Sequence, residues 1–448
     1  MEHRTRREFI KQVGAGAVAA ATTTTLASAA AAETRGAPAV ATRGRVLGAN
    51  DRINVGFVGC GGRMRAHITR IVERAKSQAD VQAVAVNDIW TKRKNAAREM
   101  TGVDEKAVYH DFRELCARPD IDAVVIASPD HWHYEHTMTA LKQGKHVYLE
   151  KPMTYTVKEA KEIVDAVKAT GKVLQVGSQY TSLDHFWKAK KAIDDGLIGE
   201  VVWASGGFGR NSSARGGEWN YKIDPEANES NLDWKAFLGS APKRAWDPAR
   251  YFRWRKYWDY SGGIATDLFY HVVAPMNICW GTPQFPHKVM AGGGIYVFKD
   301  REVPDTFHLI GEYSNGHSIV LSSSMANSQH IPGLIRGHDA SLIMVEHGRF
   351  EGYAQQITVK PEKAASKEYK EKFGTEEIKI PVEQVDTMAK HVNNFLDCMR
   401  SREQPTLNVE TGARAQVLIT MAVHAYREGK VLYFDEKKWK IVDKAPKA

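Results

Sequence analysis

The feature that most constrains this chain is an alternation that starts at Ile53 and runs to Gly177. Short apolar runs, "INVGFVG", "VQAVAVND", "IDAVVIASP", "HVYLE" and "VLQVG", are separated by helical stretches such as "TKRKNAAREM" and "TVKEAKEIVDAVKATGK". Strands alternating with helices of roughly ten to fifteen residues predict βαβ units and a parallel sheet. The runs are apolar throughout rather than at every second position, as a sheet covered by helices on both faces requires.

The connection after the first run carries the first chemical signal. "VGFVGCGGRM" sets Gly59, Gly61 and Gly62 between a strand and a helix. Glycines are needed there for a tight turn and for close backbone approach to a pyrophosphate, which then sits on the helix N-terminus. Met64 stands where a third glycine is usual, which predicts looser helix–strand packing. The second run ends in Asp88, a carboxylate able to bind both ribose hydroxyls of an adenosine. That favours NAD, while Lys92 and Arg93 just beyond keep NADP open. Residues 51–177 therefore read as a Rossmann dinucleotide-binding domain, with Arg63 beside its glycine turn.

The third run delivers "SPDHWHYEH" to the carboxyl end of the sheet, where ligands bind in doubly wound folds. Ser128 and Pro129 are expected to border the cofactor, with Trp132 and His133 near the nicotinamide ribose. His131, His133 and His136 include an H-x-H pair, a possible chelate. No acidic residue at matching spacing supports it, and no metal is expected.

Residues 178–448 change character. A helical piece, "HFWKAKKAIDDGLIG", is followed by a Trp/Arg/Asn-rich segment to Tyr260 and then by alternating strand-like runs. One of these, "TFHLIGEYSNGHSIVLSSSM", contains Asn315-Gly316, a strong hairpin signal. The second domain is therefore expected to be α+β, built on a large, mainly antiparallel sheet, its terminal helices placed to pack back on the first domain.

At the other end, residues 1–32 have a basic head with Arg6-Arg7, a mild Ala/Gly/Val run and small residues suited to signal cleavage. That layout predicts a twin-arginine export signal and a periplasmic or secreted protein that meets the twin-arginine export machinery already folded. Residues 33–50 read as a linker. Charged residues make up 26% of the chain and the formal charge is +9, yet bases and acids interleave. This argues for a solvated surface and against nucleic-acid binding. Cys60, Cys116, Cys279 and Cys398 are scattered without a disulfide or metal pattern. Past the signal no apolar run is long enough to cross a membrane.

Two motifs carry a resemblance across nearly the whole chain after the signal: "EKP" at 150–152 and "GGIATDLFYH" at 262–271. With the glycine turn, they make the chain resemble the Gfo/Idh/MocA family of glucose–fructose oxidoreductases and inositol dehydrogenases. The resemblance implies a Rossmann domain joined to an open-sheet domain, an NAD(P) cofactor, and hydride transfer to or from a carbohydrate or polyol. It places the catalytic roles on Lys151, Asp267 and His271. Lys151 would stabilise an alkoxide, His271 would take the hydroxyl proton, and Asp267 would orient substrate or relay a proton. As an i, i+4 pair on one helix, Asp267 and His271 would share a face. The family's further aspartate is replaced here by Ala274. A cis bond before Pro152 would turn Lys151 into the cleft, with Glu150 holding its charge.

Gln179 and Tyr180, after the last strand of the first domain, are expected at the domain junction as cofactor and substrate contacts. Trp219, Asn220, Arg253, Arg255 and Tyr257 suit sugar recognition by aromatic faces and forked donors. The resemblance also implies dimers or tetramers, and leaves a redox-neutral glycosidase or lyase as the alternative activity.

Overall fold

The computed structural model describes residues 51–345 and 356–446, so the predicted export signal and linker lie outside the described residues. The first domain is a parallel sheet of β1 (Ile53–Val58), β2 (Val81–Asn87), β3 (Val108–Tyr109), β4 (Ala123–Ile126), β5 (His146–Glu150) and β6 (Leu174–Gly177), in the order β3-β2-β1-β4-β5-β6. The order reverses between β1 and β4, which opens a crevice beyond their carboxyl ends. Sequence reasoning missed β3: it has two half-buried residues, too few for a pattern to show. "EKP" thus follows the fifth strand rather than the fourth.

The apolar runs divide their side chains between the two sheet faces. Val55, Phe57, Val125 and Tyr148 pack with Met64, Ile68 and Ile71 on one face. Val58, Val124, Ile126, Val147 and Leu149 pack with Ala160, Ile163 and Val164 on the other. Met64 is fully buried, so the helix Gly62–Gln78 uses it as a core residue where a glycine would have allowed closer approach. The helix Val157–Thr170 starts in a capping box, Thr156 with Glu159, and stops at Gly171 in the left-handed region (φ 61°).

The second domain holds a mixed sheet. Its strands are β7 (Val201–Gly206), β9 (Pro286–Gly294), β10 (Thr306–Tyr313), β11 (Ser318–Ser324), β13 (Gly333–Gly337), β14 (Ala340–Val345), β15 (Gln356–Pro361), β16 (Ile378–Pro381), β17 (Leu432–Asp435) and β18 (Lys440–Val442). Among the described residues the order is β16-β15-β14-β13-β7-β11-β10-β9-β17-β18. β7 and β11 pair in parallel; their neighbours pair antiparallel. A separate ribbon pairs β8 (Arg210–Asn211) with β12 (Ala326–Asn327). The Asn315-Gly316 turn joins β10 to β11, with Gly316 at φ 96° and the Tyr313 N–H donating to the His317 carbonyl at 2.9 Å.

Phe307, Leu309, Ile319 and Leu321 point into a core shared with the helices Tyr270–Cys279 and Val409–Glu428. Among the described residues the opposite face is left open, with Val202 and Ile310 exposed. The terminal helices do return to the first domain. Val392, Phe395, Leu396 and Met399 of the helix Thr387–Ser401 complete the core under β1 and β5. Gly412 lies so close to β6 that a Cβ there would stand 2.8 Å from Val176.

The Trp/Arg/Asn-rich segment docks on the first domain at the end of β2. Trp90 packs with Leu232, Trp234, Phe237, Tyr251 and Tyr260. Backbone bonds run from Thr91 N–H to the Asn231 carbonyl (3.0 Å) and from Asp233 N–H to the Ile89 carbonyl (3.1 Å). Lys92 pairs with Asp224 and Glu226, both at 2.7 Å.

Candidate active site

A cleft of about 1220 Å³ opens over the carboxyl ends of β1, β2, β4 and β5, roofed by Tyr221, Phe237, Tyr251, Trp254 and Arg255. It exceeds the usual range for a single small ligand.

On the β1–β2 side the three glycines differ in what demands them. Gly59 has φ 82°, and a Cβ there would stand 2.8 Å from the Ser128 nitrogen, so the fold itself requires glycine. At Gly61 a Cβ would meet only Arg93 Nη1, at 3.6 Å, and at Gly62 nothing within 4 Å. The helix from Gly62 has no side-chain cap and no acid in its first turn. Unpaired N–H groups at a helix start, with free space before them, suit a pyrophosphate. These residues fit a bound dinucleotide.

Asp88 lines the cleft but is already engaged. Oδ2 accepts from Cys60 N–H (2.7 Å) and Oδ1 from Trp90 N–H (2.9 Å). Burial raises its pKa, against the pull of Arg93. Arg93 lies over the rings of Trp90 (5.3 Å) and Tyr251 (5.2 Å) and donates to the Tyr251 hydroxyl at 3.0 Å.

Ser128, Pro129 and Trp132 border the cleft, whereas His133 stands behind it. Its Nδ1 lies 2.6 Å from the Pro152 carbonyl and its Nε2 2.9 Å from that of Ser128, and the nitrogen that carries the proton donates to one of these two loops. His131 and Trp132 both donate to the Phe237 carbonyl, at 2.8 and 2.9 Å. His136 meets Ser128 Oγ at 3.0 Å. The three histidines diverge, and among the described residues no cluster of His, Cys, Asp or Glu is arranged to hold a metal ion.

On the far side, the Lys151–Pro152 bond is cis, and Lys151 reaches the cleft. Its Nζ donates to Asp267 Oδ1 (2.8 Å) and to the Asp267 carbonyl (2.6 Å). Asp267 Oδ1 also accepts from Arg255 Nε (3.0 Å), and Oδ2 from Trp219 Nε1 (3.1 Å). Burial would raise the Asp267 pKa, but Lys151 and Arg255 together hold it well below the carboxylate range. Asp267 is thus an ionised anchor for Lys151. Trp219 has φ 63° and is buried, a strained conformation that costs about 1–3 kcal/mol and that its packing must sustain.

Asp267 and His271 do not share one helix. Asp267 closes the short turn Ile264–Asp267, and His271 belongs to the next helix, Tyr270–Cys279. Both nevertheless line the cleft. The preceding glycines are needed: Gly263 has φ 63°, and its Cβ would stand 2.8 Å from that of Val303. His271 Nδ1 lies 2.9 Å from Ser178 Oγ, with Tyr180 edge-on at 5.1 Å. Burial, then the charges of Lys151 and Arg63, push the His271 pKa well below its ordinary value. The ring is neutral at neutral pH. In the tautomer whose Nδ1 donates to Ser178 Oγ, Nε2 offers a lone pair.

Glu150 does not bond the Lys151 ammonium; its carboxylate turns to the glycine-turn side. It meets His67 Nε2 at 2.8 Å and Arg63 Nε at 3.6 Å, and accepts from Lys151 N–H at 3.2 Å. Burial opposes its charge, yet Arg63 and His67 hold the pKa far below the carboxylate range. Gln179 and Tyr180 line the cleft, and Gln179 Oε1 is buried without a partner. Arg253 and Tyr257 lie off it. Arg253 Nε donates to the Tyr221 carbonyl at 3.0 Å, and Tyr257 lies under Arg250 at 4.2 Å. Asn220 bonds Lys256 and Asp300 instead of facing the cleft. Sequence reasoning missed the roles of His67, Ser178 and Asp130. Asp130 sat inside the quoted "SPDHWHYEH" and Ser178 directly before Gln179, while His67 has no local signal.

A Rossmann crevice facing a lysine, an aspartate and a neutral histidine defines a nucleotide-dependent oxidoreductase class. Residues 53–178 match the oxidoreductase family described as an NAD-binding Rossmann fold, and residues 240–434 match its C-terminal alpha/beta domain. The chain belongs to the Gfo/Idh/MocA oxidoreductase family, and its first domain is the family's NAD-binding domain.

Among similar curated proteins, inositol 2-dehydrogenase/D-chiro-inositol 3-dehydrogenase of Lactiplantibacillus plantarum is 35% identical over 33% of this chain and 41% of its own length. Scyllo-inositol 2-dehydrogenase (NADP(+)) IolU of Bacillus subtilis is 26% identical over 60% of this chain and 71% of its own. The chain thus spans less than half of the first of these relatives. The fold is shared with an inositol dehydrogenase homologue of Azotobacter vinelandii solved with NADH and myo-inositol (TM-score 0.64, 17% identity, 88% of this chain and 100% of that one). It is also shared with an aldose–aldose oxidoreductase of Caulobacter crescentus complexed with glycerol (TM-score 0.62, 18% identity, 86% and 100%).

Proposed function

We propose that this protein is an NAD(P)-dependent oxidoreductase that moves hydride between a tightly held nicotinamide cofactor and a hydroxyl-bearing carbon of a carbohydrate or polyol. The observation that carries this reading is Lys151, fixed by Asp267 in the cleft beside neutral His271. Gly59, Gly61, Gly62 and the helix start would hold the pyrophosphate, Asp88 the adenosine ribose, and Ser128, Pro129 and Gln179 the nicotinamide end. When bound, the nicotinamide supplies a hydride acceptor for the substrate carbon. His271 Nε2 takes the hydroxyl proton, and the Lys151 ammonium stabilises the developing alkoxide. Asp267 positions Lys151 and, through its engaged oxygens, has no further proton to relay. Arg93 puts a cation beside the glycine turn, so NADP can also be accepted.

The docked segment closes the adenosine side of the cleft, which supports slow cofactor exchange. It also favours a second reading, a redox-neutral glycosidase or lyase, because a cofactor that does not exchange must recover its oxidation state in place. A sugar panel followed both by bound-cofactor absorbance and by glycoside cleavage separates the two. A lasting rise in reduced-nicotinamide absorbance without cleavage supports the dehydrogenase, and cleavage without net absorbance change supports the alternative. Absence of released nucleotide from the denatured protein would sink both.

The Arg6-Arg7 segment supports export of the loaded protein by the twin-arginine route to a periplasmic or secreted location. The uncovered sheet face, with Val202 and Ile310, suits a homodimer or homotetramer. Light scattering and cell fractionation test these two points.

A further inference from the structure

We infer that Asp130 is a substrate-contacting residue whose unpartnered oxygen accepts a hydrogen bond from a second hydroxyl of the ligand, so that the cleft selects polyols over simple alcohols. This inference rests on the oxidoreductase reading. Asp130 opens the turn Asp130–Trp132 directly after β4, at the carboxyl edge of the sheet. It is 4% exposed and lines the cleft, and its Oδ2 is buried with no hydrogen-bond partner.

Other carboxylates of the cleft are already satisfied. Asp267 accepts from Lys151, Arg255 and Trp219, Glu150 from His67 and Lys151 N–H, and Asp88 from two backbone N–H groups. A buried oxygen without a donor is costly, and a ligand hydroxyl would remove that cost.

The groups that act electrostatically on Asp130 are Arg255, Asp267 and Lys151, with the Ser261 hydroxyl and the Tyr155 phenol also near. Burial lowers the pKa of His131 on the same turn and of His133 at the start of the next helix. Burial, and then Asp267, raise the Asp130 pKa to about 7 against the pull of Arg255 and Lys151. Ionised, the carboxylate makes the stronger, charge-assisted bond. Ligand affinity should therefore climb as pH rises through 7.

Two measurements on the nucleotide-loaded protein test this. In pH-difference infrared spectra, a carbonyl band of a buried protonated carboxyl should vanish as pH rises through 7, be absent from Asp130→Asn, and persist in Asp130→Glu. An unchanged spectrum in Asp130→Asn removes the titration from Asp130, and the contact itself is decided by KM. In steady-state assays with myo-inositol and D-glucose as probes, Asp130→Asn should raise KM about tenfold at pH 8, a larger change than in kcat, and flatten the pH dependence of KM. A KM profile that keeps its wild-type shape overturns the contact. Turnover of neither sugar by the wild type counts against the oxidoreductase reading on which the inference rests.

Discussion

The two walls of the cleft are built by different means. The Rossmann wall is made of backbone: a glycine turn, an uncapped helix start and strand ends held by a continuous ladder. The docked segment opposite is made of side chains: a cluster of aromatic rings, two backbone bonds and a few ion pairs. The backbone wall can be broken only where a residue violates its geometry. The side-chain wall loses stability with each ring removed. Between them lies the seam where Lys151 meets Asp267, the site of the proposed chemistry.

The largest effect should come from that seam. Lys151→Ala is expected to lower hydride transfer by about a thousandfold, in line with the loss of a transition-state donor, while bound nucleotide is retained. Full activity in single-turnover assays would remove the lysine from its role.

Trp234→Ala should weaken the docked segment by about 3–5 kcal/mol, since a buried ring leaves a cavity among Phe237, Trp246 and Tyr251. Hydrogen exchange should rise across the segment but not in β1 or β4, and nucleotide should be lost faster on dialysis. Uniform exchange across both walls would end the comparison.

Gly59→Ala and Gly62→Ala sharpen it from the other side. The first should destabilise by about 1–3 kcal/mol, because its φ and the Ser128 backbone both oppose a Cβ. The second should leave the melting temperature unchanged and loosen nucleotide binding. Equal melting temperatures for the pair would refute the distinction.

Acid should act through buried histidines. His131, His317 and His391 are pushed down by burial to about 4, and His146 to about 3. Their folded pKa values lie below the unfolded value of about 6.5, so the unfolded chain binds protons first. The stability they contribute is present above about pH 6.5 and is lost as pH falls towards 4. Asp130 has the opposite sign: its contribution is present below about pH 4 and is lost as pH rises through 7. Denaturant titrations from pH 8 to pH 4 should show the histidine loss. Asp130→Asn should gain relative to wild type only towards the alkaline end.

The smallest effect is expected at Arg253→Ala, about 1 kcal/mol or less in stability with KM near wild type, because its guanidinium supports Tyr221 rather than substrate.

Legibility followed the range of each interaction. The parallel sheet, the glycine turn and the Asn315-Gly316 hairpin are local patterns, and they could be read directly. The strand Val108–Tyr109 was not, because two residues carry no period. Asp267 and His271 were found through a motif, but the helix expected between them is interrupted at Leu268-Phe269, a break that i, i+4 spacing cannot reveal. Arg253 and Tyr257 looked like sugar ligands by type alone, and type does not say which way a side chain in an irregular segment points. Trp219 was noted for its ring, whereas its indole N–H is what reaches Asp267.

By itself, then, the sequence determined that a lysine would stand at the carboxyl end of a buried parallel strand, beside a turn shaped for a dinucleotide. Periodicity and glycine placement suffice for that, since both are set by neighbours along the chain. Only the tertiary structure decided what the lysine touches. Its partner lies 116 residues away, and the roof over the cleft is a segment whose rings found Trp90 rather than the sheet that follows them. Long-range packing made those choices, because a charge in a buried cleft is held by whichever opposite charge the fold brings within reach.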